Sequence, residues 1–194
     1  TGVTLRVVDG VGGEIGLSEW EVYYDAVSKP EQEEKKRYTD FVSYVDPAIE
    51  TGRGRWFFCV PGSLPFGMVS AAAHTRNKAQ GGGGYNYNST AVLGFSQIHN
   101  WVMAGISIMP ATGKVNPNKG EQGWKSPFSN ATEIIEPGYH RLFLDRYQTS
   151  AEYTATERVA LYRFTYKEEA AARLLVSLGG SLGPLSCVDG KARK

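Results

Sequence analysis

Residues 150–166 read SAEYTATERVALYRFTY, and apolar and polar side chains alternate through them. A strand sends successive side chains to opposite faces, so period two marks a half-buried strand, whereas a helix repeats every 3.6 residues. Alternation sustained over this length implies one long bent strand or two in succession. Downstream, Lys167 to Ala171 makes a turn, and ARLLVSL (172–178) reads as a mostly buried strand. Upstream, the pattern predicts strands near 56–60, 66–72, 90–98, 104–110 and 138–146. The quoted stretch supplies 149–157 and 158–166. Glycine-rich loops separate these runs, and long helical patterns are few. The fold class that follows is all-β, a large antiparallel β-sandwich with under about a fifth of its residues helical.

Three regions divide the chain. Residues 1–24 carry two short strands, TLRVV and EWEVYY, around the loop DGVGGEIGLS, and are too short to bury a core alone. Residues 25–43 form a charged linker. Within it Pro30, then Glu31, Glu33 and Glu34, then Lys35, Lys36 and Arg37 follow the order that a helix macrodipole favours, which predicts one short solvated helix over roughly 30–42. Residues 44–194 make the sandwich, incomplete at its C-terminus. Its long polar loop 114–130 is expected to be tacked down by Trp124 and Phe128.

Composition excludes several functions. The net charge is +1, with 21 basic and 20 acidic residues, so no field draws the chain to nucleic acid or an anionic membrane. No apolar run approaches the ~18 residues of a spanning helix, and no signal peptide begins the chain. The chain opens mid-pattern at TGVTLRVVDG and stops at GKARK, as an excised piece would. Cys59 and Cys187 lack C-x-x-C spacing and no histidine cluster accompanies them, which argues against zinc. Whether the two cysteines pair is left open. Gly81 to Gly84 is followed by no Lys-Ser/Thr, so a phosphate cradle is a weak reading.

One set of loops gathers Arg76, Tyr85, His99, Asn100 and Trp101. Aromatic faces that stack on a pyranose, beside groups that hold its hydroxyls, are what a sugar-binding cleft needs. These five are the candidate substrate-binding residues. Each also has a plainer reading: Tyr85 can lock its loop, His99 can be a satisfied structural histidine, Trp101 can be simply buried, and Arg76 can clamp an interdomain carboxylate. Glu157 and Arg158 read as an ion pair or an interdomain contact. The loops that bear Arg76, Tyr85, His99 and Trp101 sit at strand-to-loop transitions and are expected to converge on one face, beside an exposed apolar patch.

The order of the motifs resembles the N-terminal domain of glycoside hydrolase family 92, the calcium-dependent exo-α-mannosidases. The carrying stretches are Tyr44-Val45-Asp46-Pro47-Ala48-Ile49, Pro61-Gly62-Ser63-Leu64-Pro65-Phe66-Gly67-Met68-Val69, His74-Thr75-Arg76, and Gly83-Gly84-Tyr85. They continue with Gly94-Phe95-Ser96-Gln97-Ile98-His99, Met109-Pro110-Ala111-Thr112-Gly113, Pro137-Gly138-Tyr139-His140, and Glu152 to Val159. Departures stand at Arg53-Gly54-Arg55-Trp56, at His74 for the family's aspartate, at Gln97 for a histidine, and at Ile106. These bear on which sugar is held, not on the fold. Residues 1–24 resemble the last strands of a discoidin-like (factor 5/8 type C) carbohydrate-binding module.

The resemblance implies the non-catalytic N-terminal part of an exo-acting, inverting α-mannosidase of the alpha-1,2 class. Its partners would be a mannose-containing glycan and a C-terminal (α/α)6 domain of the same chain. That domain would supply the general acid, the general base and most calcium ligands, leaving no catalytic and no metal residue here. An inverting glycosidase needs two carboxyls about 6.5–9.5 Å apart, and the aromatic loops hold no such pair: Asp40, Asp46 and Glu50 lie at the entry. The fragment alone is therefore expected to be inactive. The setting implied is bacterial, either secreted or periplasmic, with anchoring at the outer membrane allowed. The sequons at Asn88 and Asn130 are expected to be bare. The rival readings are a stand-alone carbohydrate-binding sandwich and a purely structural interdomain module.

Overall fold

A computed structural model of the chain describes residues 4–9, 14–15, 41–53, 62–75, 84–100, 102–167, 172–178 and 191–192. In chain order the first strands are β1 (Thr4–Asp9), β2 (Glu14–Ile15), β3 (Ala72–His74), β4 (Ala91–Val92) and β5 (Gly94–Ser96). Next come β6 (Ile98–Asn100), β7 (Val102–Ala104), β8 (Ser107–Ala111), β9 (Ser126–Pro127) and β10 (Ile134–Glu136). The last are β11 (Tyr139–Leu144), β12 (Thr149–Ala155), β13 (Ala160–Tyr166), β14 (Arg173–Ser177) and β15 (Lys191–Ala192). Among the described residues helical structure is limited to one four-residue α-turn, Glu121–Trp124, and short 3-10 turns, among them Phe41–Tyr44 and Thr51–Arg53.

The stretch that decides the fold forms two strands, β12 and β13, because Thr156 breaks the run. Its amide donates to Val159 O at 2.8 Å and its hydroxyl accepts the Val159 amide at 3.1 Å, closing a tight turn. These strands belong to a four-stranded antiparallel sheet of order β10-β11-β12-β13. The other large sheet has the order β1-β14-β8-β5-β3 and is antiparallel except where β1 joins β14 in parallel. The segment TLRVV is thus a strand, and it adds to the edge at β14.

Register explains the core. Leu142, Ala151 and Phe164 pair across β11, β12 and β13, as do His140, Tyr153 and Tyr162, and these rows face inward. The alternate row, Arg141, Glu152 and Arg163, faces outward, where Arg163 grips Glu152 through two hydrogen bonds of 2.7 Å. Ala71, Ala73, Phe95, Met109 and Leu175 meet the inward rows from the other sheet. Three tyrosines, Tyr153 and Tyr166 buried and Tyr162 half-buried, then tie sheet to sheet through backbone groups. Tyr153 Oη accepts from the Ala73 amide (3.1 Å), Tyr162 donates to Ser96 O (3.0 Å) and Tyr166 donates to Arg173 O (3.1 Å). A buried phenol needs such a partner, because the hydroxyl left alone costs more than the ring's burial can conceal.

Most of the expected strands are present, with two revisions. The run 66–72 is a loop until Ala72, since Pro65 cannot donate to a ladder and the chain turns there. A hairpin, β6–β7, occupies 98–104, where a loop was expected. The strands at 56–60 and EWEVYY, and the body of the linker helix, lie outside the described residues. The loop 114–130 is pinned as expected: Trp124 and Phe128 are buried, the indole donates to Leu93 O at 2.8 Å, and Tyr147 donates to Trp124 O at 2.6 Å.

Gly62 allows the loop before β3 to lie directly on β12. A Cβ there would sit 2.7 Å from the Tyr153 ring and 2.8 Å from its carbonyl oxygen. Gly62→Ala is expected to destabilise the domain by about 1–3 kcal/mol through overpacking. Urea unfolding checks this, and an unchanged midpoint would show that the loop moves aside without cost.

Candidate functional site

Tyr85 is the candidate whose side chain the structure describes, and it is buried. Its hydroxyl donates to Glu133 Oε1 at 2.6 Å, and its ring meets His140 edge-on with centroids 5.3 Å apart. It presents no face to solvent in this arrangement. His99 and Asn100 lie in β6, where the structure describes the backbone: they pair with Met103 and Val102 of the hairpin. The strand leading to His99 is fastened to the loop after Met68, because the Ser70 amide donates to Gln97 O at 2.9 Å. Arg76 and Trp101 lie outside the described residues.

Around Tyr85 a polar chain runs through the core. The Ala73 amide donates to Tyr153 Oη, which leaves the Tyr153 hydrogen free to reach His140 Nδ1, and these two side chains are in direct hydrogen-bond contact. His140 Nε2 lies 2.6 Å from Glu133 Oε1, the oxygen that also accepts from Tyr85. Donor therefore follows acceptor from Ala73 to Tyr153 to His140 to Glu133, with Tyr85 closing the far end. His140 is fully buried and the Glu133 side chain nearly so. A carboxylate in that position is held by two short donors instead of water. Burial first, then the charge and hydrogen bond of Glu133, push the Tyr85 phenol far above its ordinary pKa, so it stays a donor. The chain joins the Gly84–Tyr85 loop, the entry to β10, the inner face of β11 and the centre of β12.

Next to Tyr85 in sequence, Asn86 and Asn88 fasten the loop at 51–53. Asn86 Nδ2 donates to Thr51 O (2.8 Å) and Gly52 O (3.0 Å), and Asn88 Nδ2 donates to Gly52 O (3.1 Å). Asn130 Nδ2 donates to Tyr87 O at 2.9 Å, so both sequon amides serve the fold. None of Tyr153, His140 and Glu133 was a candidate from sequence. The available signal was His140 itself, one of three histidines in the chain.

His74 differs from His140. It is fully buried in β3, and neither ring nitrogen has a hydrogen-bond partner among the described residues. Burial drives its pKa down to about 3, so the ring is neutral in the folded chain. Among the described residues no group of three His, Cys, Asp or Glu side chains is placed to hold a metal ion. The acids are engaged elsewhere: Glu133 in the core, Glu152 with Arg163 and Tyr139, and Asp46 with the Ala48 amide. No helix among the described residues is long and apolar enough to cross a membrane.

Residues 44–194 match the family model of the glycosyl hydrolase family 92 N-terminal domain, and the chain belongs to that family. Among solved structures it is similar to a family GH92 alpha-mannosidase from Bacteroides thetaiotaomicron in complex with mannoimidazole. The two are 27% identical, with TM-score 0.63, over 73% of this chain and 20% of that one. A second structure of the same mannosidase gives 26% identity and TM-score 0.64 over the same shares. The inverting family GH92 mannosidase BT2199 of that organism, at 23% identity and TM-score 0.61, shares the fold over 73% of this chain and 20% of its own. The chain thus spans about a fifth of the length of these relatives. A comparison with curated protein sequences gives no match.

Two outcomes test this description. Tyr85→Phe removes a donor from a buried carboxylate and is expected to cost about 1–3 kcal/mol in urea unfolding, while Tyr87→Phe at the partly exposed neighbour costs under about 0.5 kcal/mol. The second concerns pH. Unfolded His74 takes up a proton below its ordinary value of 6.5, whereas folded His74 resists until about 3. The unfolded state therefore gains more protons as pH falls through that window, and stability is lost. His74→Leu is expected to flatten stability between pH 6.5 and 4 and to leave it no lower at pH 7, since two unpartnered nitrogens are removed. An unchanged acid slope in this variant would mean that His74 is not the acid-sensitive group.

Proposed function

We propose that the chain is the non-catalytic N-terminal part of an exo-acting, inverting α-mannosidase, shaping the subsite for a terminal mannose and bracing a separate catalytic domain. The observation that carries this is the match of 73% of this chain to a fifth of an alpha-mannosidase. The chemistry agrees: two carboxyls must face each other across an open cleft for inversion, and among the described acids Glu133 is tied into the core, Glu152 is held by Arg163 and Asp46 accepts the Ala48 amide. The acid, the base and the calcium ligands belong, in this reading, to an (α/α)6 domain that follows. The described residues offer calcium no cluster of their own. His99, Asn100, Arg76 and Trp101 are the residues proposed to meet sugar. Tyr85 acts one step back, by fastening its own end of the Gly84–Tyr85 segment to the core through Glu133. Alpha-1,2 linkage preference and a secreted or periplasmic bacterial setting complete the proposal. The segment before residue 24 is read as the end of a discoidin-like module.

The test has two parts. The 194-residue chain is expected to hydrolyse no α-mannoside, and calcium-dependent turnover by it would overturn the division of labour. In the chain extended through the rest of its gene, His99→Ala is expected to lower kcat/KM by the equivalent of roughly 1–3 kcal/mol, the loss of one transition-state contact. An unchanged kcat/KM would remove His99 from the subsite. A gene that stops at Lys194, with glycan binding retained, would instead establish a stand-alone binding sandwich.

A further inference from the structure

The loop Gly62–Met68 displays apolar side chains in a way that no contact within the described chain explains. Its centre is a β-turn in which the Gly67 amide donates to Leu64 O at 3.1 Å. Pro65 holds the second position, and a proline ring keeps φ negative, so a positive φ at the third makes the turn type II. That third residue is Phe66, with φ 63. Glycine adopts this conformation freely; a phenylalanine adopts it at a conformational cost. No burial compensates, because Phe66 is 104% exposed, Met68 75% and Leu64 48%.

The display is rigid. The Gly62 amide donates to Ala71 O (2.8 Å), the Met68 amide to Glu157 O (2.8 Å) and the Ser70 amide to Gln97 O (2.9 Å). The Met68 bond sets the loop against the β12–β13 turn, where Val159 and Leu161 are also half exposed. Glu157 and Arg158 stand exposed at the tip of that turn. An apolar centre beside a charged rim is the composition of a protein interface, and apolar side chains grouped in this way mark a surface that something covers.

We infer that the Gly62–Met68 loop is a docking knob, with Phe66 as its anchor, that seats in an apolar recess on the remainder of a family 92 chain. The inference rests on the proposed function for the identity of the occupant. Two observations favour that occupant over a second copy. The matched mannosidases have about four-fifths of their length beyond the part that this chain covers. The knob is also fastened, through Ser70 and Gln97, to the strand that carries His99, so a domain seated on it closes over the same end of the sandwich. Two copies meeting knob to knob would set convex loops tip to tip, and neither would enclose the other's Phe66.

Amide hydrogen exchange on the 194-residue chain and on the chain extended through the rest of its gene tests the inference, each with Phe66 and with Phe66→Gly. In the extended chain, residues 62–68 and 156–161 are expected to exchange at least about tenfold more slowly than in the short one, and Phe66→Gly is expected to remove most of that protection. In the short chain the same substitution is expected to raise Tm, because glycine relieves the turn, which a merely structural phenylalanine would not do. Equal exchange in both lengths overturns the inference. So does concentration-dependent self-association of the short chain that Phe66→Gly abolishes, which would make the occupant a second copy. Exchange is read without turnover, so an extended chain that protects the loop but cleaves no mannoside overturns the proposed function and leaves the docking surface standing.

Discussion

The hydroxyl of Tyr153 is the point on which the two sheets depend. It lies on the central strand pair of one sheet, takes the Ala73 amide of the other at 3.1 Å, and contacts His140 on its own. The polar chain that runs on to Glu133 and Tyr85 is placed relative to that junction. His140 is held at the right height to reach Glu133, and Glu133 can then accept from Tyr85, so Tyr85 is anchored to the core and not to solvent. A sandwich with apolar inner faces alone would pack, yet its sheets would have many offsets of similar energy. Directional bonds from Tyr153, Tyr162 and Tyr166 to backbone groups of the opposing sheet select one offset.

This arrangement places the surface around the proposed subsite at the end of a chain of buried contacts. The loop before β3 must cross Tyr153 closely, which only Gly62 permits, and it emerges carrying Leu64, Phe66 and Met68 outward. The loop that ends at Tyr85 is set by Glu133, and the loop at 51–53 by Asn86 and Asn88. Core geometry thus determines what the surface presents. A module built in this way favours rigidity over chemistry, in keeping with a domain that holds a cleft open for groups supplied from elsewhere.

The sandwich was legible because alternation in 138–166 and the apolar run at 172–178 report burial directly, on one face in the first and on nearly every residue in the second. The division into two successive strands near 157 was legible too, and β12 and β13 bear it out; the part that Thr156 plays was not, because a threonine that caps the turn looks, in sequence, like another polar position in the alternation. The β6–β7 hairpin was hidden for a related reason, since its turn follows Asn100 without the glycine pair that advertises a tight reversal. The candidate site was legible only as a set of residue types. Tyr85 shows why: a tyrosine after four glycines has the same sequence signature whether its ring faces a sugar or its hydroxyl faces a buried glutamate. Glu133 sits among polar loop residues, and nothing local announces that its carboxylate turns inward.

The account stands on the claim that Tyr153, His140 and Glu133 act as one connected unit. A double-mutant cycle between Tyr153→Phe and Glu133→Gln, read by urea unfolding, tests that claim most directly, because the two side chains are joined through His140. Connection through the histidine predicts a coupling of about 0.5–3 kcal/mol: once Tyr153 no longer orients the ring, changing Glu133 costs much less than it does alone. Strict additivity of the two losses would contradict it, reducing the chain to separate contacts that happen to adjoin.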